Sequence, residues 1–66
     1  MELTIEEKEL MHIMAELEIS QETAVEIGLL LRKRKLGANL LIESLKELNP
    51  KEINDEKIIE IALNLK

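Results

Sequence analysis

The stretch QETAVEIGLLLRKRKLG, Gln21–Gly37, decides the fold. At about 100° per residue, Ala24, Ile27, Gly28, Leu30 and Leu31 wrap round one broad arc. Val25 and Leu29 fall beside Glu22, and only Glu22, Glu26 and Lys33 mark a polar side. A helix that is apolar over most of its circumference normally has neighbours on several sides. The stretch therefore predicts an all-α protein, a compact bundle with this second helix central. Val25 and Leu29 admit two readings. Either the chain's own helices cover them, or they form a seat for a second copy or another protein. Gly28 costs about 1 kcal/mol in a helix interior relative to alanine, and its missing side chain would let another helix approach closely.

The stretch ends in four consecutive cations, Arg32, Lys33, Arg34 and Lys35. On a helix they radiate in every direction. A helix that reads a DNA groove would align its cations along one side, at spacings of three and four. The run reads instead as positive charge at the negative end of the helix dipole, worth about 0.3–1 kcal/mol per exposed cation. The alternative is a basic knob for an acidic partner or for phosphate; in the phosphate case the chain would be a DNA-binding regulator acting through residues 32–35. Gly37 then reads as the left-handed residue that closes the helix.

Working outward, Thr4 and Glu7 have the spacing of a capping box. Leu10, Ile13, Met14 and Leu17 follow at helical period, predicting a helix over about 5–17. Ser20 is a good N-cap for the second helix. A third helix is predicted from Ala38 to Leu48, on the stripe Ala38, Leu41, Ile42, Leu45 and Leu48. Asn49-Pro50 ends it, because the residue before proline is pushed out of the α region. Asn54 caps a fourth helix, with Asp55 and Glu56 suited to its positive end. Ile53 and Ile58 are placed as a hydrophobic staple. Its buried stripe is Ile58, Ile61, Ala62 and Leu65, widened by Ile59 and Leu63. Short connections favour antiparallel neighbours.

The bulk composition narrows the function. Sixty-six residues make one helical domain, 1–66, and a chain this small buries only about 60% of its unfolded surface. There is no Cys, Phe, Tyr or Trp. Disulfides and Cys-rich zinc sites are excluded, as is base stacking on aromatic side chains. The net charge of −5 disfavours phosphate. The N-terminus is acidic and lacks the basic start of a signal peptide. No apolar run approaches the ~20 residues of a membrane span. The expected compartment is the cytoplasm.

Catalytic chemistry finds little to use. His12, with Glu9 and Glu16 on the same face, falls short of the three or four ligands of a metal site. No glycine-rich phosphate loop exists, and Thr4 and Ser20 read as helix caps. No enzyme activity, metal, cofactor, small-molecule substrate or membrane contact is expected. Met11 and Met14 read as core fillers. Ala24 and Gly28 have helix-turn-helix spacing, but no polar N-cap follows Gly28, and the position that should be buried falls on Arg34.

ISQETAVEIGLLL followed by ANLLIESLKELNPKEINDEKIIEIAL, within residues 19–63, resembles short uncharacterised helical proteins of low-GC Gram-positive bacteria and their phages. The shared pattern is an S-x-E-x-A helix, a leucine-rich stretch, a helix ending in Asn-Pro and an acidic-capped last helix. These positions are caps and core, so the resemblance implies a fold and a phage-related or regulatory setting but carries over no catalytic residue. The expected function is protein–protein interaction, with itself or another protein. The expected contacts are Val25, Leu29, Arg32 and Lys33, with Ile59 and Leu63 as a second apolar edge.

Overall fold

The computed structural model describes residues 2–65. All regular structure among them is helical: α1 (Ile5–Glu16), α2 (Gln21–Lys33), α3 (Ala38–Lys46) and α4 (Asp55–Leu63), with a single 3-10 turn at Pro50–Glu52. The chain packs to a radius of gyration of 10.6 Å. No helix is long and apolar enough to cross a membrane.

Each start predicted from cap chemistry falls in place. The Thr4 hydroxyl accepts from the Glu7 N–H at 3.1 Å, and the Glu7 carboxylate accepts from the Thr4 N–H at 2.8 Å. Ser20 accepts from the Thr23 N–H, and Asn54 from the Lys57 N–H. Each bond satisfies an N–H that the first turn of a helix leaves orphaned. Ile53 and Ile58 are both buried. The ends were less accurately expected. α3 stops at Lys46 instead of Leu48, and the chain after Asn49 winds into the 3-10 helix, where Asn49 accepts from the Lys51 N–H.

Gly37 does not close α2. It has φ −77° and extends the backbone as the N-cap of α3. The left-handed residue is Lys35, at φ 58°, and Glu18 plays the same part after α1 at φ 61°. Both ends are Schellman motifs. The Leu36 N–H reaches the Leu31 carbonyl at 2.9 Å, and the Ile19 N–H reaches the Met14 carbonyl at 3.0 Å. In each, the apolar residue after the left-handed one turns back to the core, Ile19 fully and Leu36 in part. A left-handed conformation costs a non-glycine residue about 1–2 kcal/mol. Lys35→Gly should therefore raise stability by about 0.5–1 kcal/mol, net of glycine's extra freedom in the unfolded chain. Urea denaturation measures this, and an unchanged midpoint would contradict the strain at Lys35.

The core is aliphatic. Met14, Ile27, Leu41 and Ile58, one from each helix, are its largest fully buried side chains. α1 packs chiefly on α3 and α2 chiefly on α4, with smaller α1–α2 and α3–α4 contacts. Directions follow from the hydrogen bonds. Asp55, at the start of α4, holds Ser20 and Thr23 at the start of α2, while Arg34 at the end of α2 holds carbonyls at the end of α4. These two helices run parallel. Glu7 near the start of α1 pairs with Arg32 near the end of α2, so those sequential neighbours run antiparallel.

Candidate functional site

The inner face of α2 is enclosed as expected: Ala24, Ile27 and Leu31 are buried. Its outer face is open. Val25 is 55% exposed and Leu29 61%. No helix of this chain covers either, which removes the reading that its own helices enclose them. α2 is thus not surrounded on all sides.

Beside that face, between α1, α2 and the turn into α3, runs a groove of about 620 Å³. Leu10, Met14, Ala24 and Leu31 of the core reach its floor. Leu3, Met11, Val25 and Leu29 form its exposed rims. Met11, expected in the core, is 42% exposed and serves the groove instead. Met14 alone of that pair is buried. Gly28 lies in the groove wall, and a Cβ built on it would meet nothing within 4 Å. No helix of this chain uses the approach that Gly28 permits.

Of the residues expected to make partner contacts, Val25, Leu29 and Arg32 border the groove. Lys33 is exposed on α2 but does not line it, and on α4 Ile59 is half-buried and Leu63 is 57% exposed, also outside the groove. The structure therefore does not join the two apolar edges into one lining. Leu3, Met11 and Leu36 belong to the groove and were not expected there. For Met11 the signal was its place beside the Leu10–Met14 stripe, one step toward solvent.

The cations are divided. Arg32 grips Glu7 with two hydrogen bonds, Nε to Oε2 at 2.8 Å and a terminal nitrogen to Oε1 at 3.1 Å, closing one end of the groove. Arg34 donates to the carbonyls of Ala62 at 2.9 Å, Leu63 at 3.1 Å and Leu65, at and just past the end of α4, where a helix leaves carbonyls short of partners. Two of the four cations thus fasten helices of this chain to one another. Lys33 and Lys35 remain exposed without an ion pair among the described residues. A DNA-binding regulator acting through residues 32–35 would have to work with half its charge already engaged.

Glu7 completes the capping box of α1 and also holds Arg32. The Arg32 guanidinium, and next the Thr4 N–H, depress its carboxyl to about 2. Asp55 is likewise lowered, by the Ser20 hydroxyl and N–H and by the Thr23 hydroxyl. Thr23 is the buried polar residue at that junction. Both carboxylates favour the fold when ionised. Their contribution is complete above the ordinary carboxylate range and is lost as protons bind. For Glu7 the loss runs from about 4.5 down to about 2. The expected result is a fall in urea midpoint across that interval, flattened in Glu7→Gln. An equally steep fall in the variant would mean that other carboxylates govern acid stability.

His12 Nε2 lies 2.8 Å from Glu16 on the exposed side of α1, an ion pair when the imidazole is protonated. Comparison with protein-family models, curated proteins and solved structures returns no match for this chain.

Proposed function

We propose that this chain is a small protein–protein interaction module, a bundle of four short helices that docks an apolar helix in the groove between α1 and α2. One observation carries the reading: Leu3, Met11, Val25 and Leu29 stay exposed around a continuous apolar cleft whose wall includes a helical glycine with open space beside it. An apolar helix laid in such a groove removes aliphatic surface from water at roughly 25 cal/mol per Å². The groove's ion pair, Glu7 with Arg32, lies at one end and is already self-satisfied, so the cleft offers shape and apolar surface more than polar recognition. That favours a helix face over a polar small molecule.

The test is a titration with a leucine-faced amphipathic model peptide, followed by amide NMR shifts. Shifts confined to Leu10–Met14 and Ala24–Arg32 are expected. Shifts spread over α3 and α4, or absent at excess peptide, would overturn the docking reading.

A further inference from the structure

The groove and the outer face of α2 together indicate a particular occupant, an inference that rests on the docking reading above. Along that face Glu22, Val25, Leu29 and Arg32 follow one another at spacings of three, four and three. This is the stripe by which two helices pack side by side. It is also chemically reversible end for end. Val25 and Leu29 are equidistant from position 27, as are Glu22 and Arg32. The first half of α2 carries the exposed acids Glu22 and Glu26, and the second half the cations Arg32 and Lys33.

We infer that the occupant is a second copy of this chain, its α2 laid antiparallel across the open face of α2 about a two-fold axis level with position 27, between Val25 and Leu29. That arrangement sets Val25 against Leu29 of the second copy, twice. It also sets Glu22 against the exposed Lys33 of the second copy, twice. A parallel pairing would place acid on acid and base on base, and would align the two helix dipoles head to head. A partner helix of uniform charge would satisfy one end of the stripe and oppose the other. The open space beside Gly28 borders the Val25–Leu29 contact and gives the second copy's leucine somewhere to seat. A two-fold contact of this kind closes on itself, so association stops at the dimer.

The dimer is weak. Each copy carries a net charge of −5, which opposes the encounter. The contact is one helix face plus the rim residues of α1, below the size of a permanent interface. The concentration series is centred on a dissociation constant of about 100 µM, between the millimolar and micromolar ranges.

Light scattering across a concentration series spanning that value is the test. The wild-type mass is expected to rise from 7.6 kDa toward twice that figure. Leu29→Glu should remain helical by circular dichroism, since the side chain is exposed, and should stay monomeric throughout. Glu22→Lys and Lys33→Glu should each weaken association about tenfold, and the two together should largely restore it. Lys33 is chosen because Arg32 also holds Glu7. A dimer indifferent to Leu29→Glu, or reversals that add instead of compensating, would overturn the antiparallel pairing. A wild type monomeric at every concentration would overturn self-association. The model peptide added to that same sample then separates the two failures: groove shifts leave the docking reading intact, and their absence removes it as well.

Discussion

Leu41→Ala is expected to cost about 3 kcal/mol and to leave much of the population unfolded at room temperature. Leu41 is fully buried. Removing three buried carbons loses their transfer free energy and leaves a cavity, together about 2–5 kcal/mol for a leucine. The core of a chain this short rarely supplies more than about 3–5 kcal/mol in total. No disulfide is present to restrain the unfolded chain. The matched control is Leu29→Ala, the same chemical change on a side chain 61% exposed. Measured in dilute solution, where association is negligible, it should fall within about 0.5 kcal/mol of wild type. Urea midpoints of the two variants give the comparison. Equal losses would mean that Leu29 is buried and that the open face of α2 does not exist.

Gly28→Ala should move stability the other way. Glycine in a helix interior costs about 1 kcal/mol relative to alanine, and the added methyl enters open space. The expected gain is about 1 kcal/mol, or about 4–8 °C in melting temperature for a domain of this size. The same methyl narrows the seat beside Leu29, so the more stable variant should associate less. Opposed changes of this kind occur where a residue serves contact at the expense of stability. A fall in melting temperature would show that something already fills the space at Gly28. A gain in stability with stronger association would remove Gly28 from the docking face.

Local chemistry was legible in the residues, and tertiary chemistry was not. Thr4, Ser20 and Asn54 were readable as caps because a cap bonds an N–H two or three residues away, a distance fixed by the chain itself. The pairs that bind helices together lie much farther apart: Glu7 with Arg32, Asp55 with Ser20 and Thr23, Arg34 with the end of α4. No periodicity encodes such pairings. They also changed the meaning of the RKRK run, whose arginines fasten helices while its lysines face solvent. The end of α2 was misplaced because the glycine preference is weaker than the pull of the next apolar residue. Leu36 returns to the core one position after Lys35, and Lys35 bears the strain. Val25 and Leu29 could be marked on the helix as neighbours of Glu22, but only the packing of α1 and α4 settles that both stay uncovered.

The preference of α1 for α3, and of α2 for α4, bears on how the chain can be divided. Each helix takes its main support from the one after next, so the two halves interleave and neither is a folding unit. A chain cut at Gly37 would separate every helix from its principal neighbour, leaving the α1–α2 and α3–α4 contacts too small to hold either piece. The two fragments should be unstructured alone and should regain helicity on mixing, one piece supplying the scaffold of the other. The molecule would then behave as a protein that can be split and reassembled.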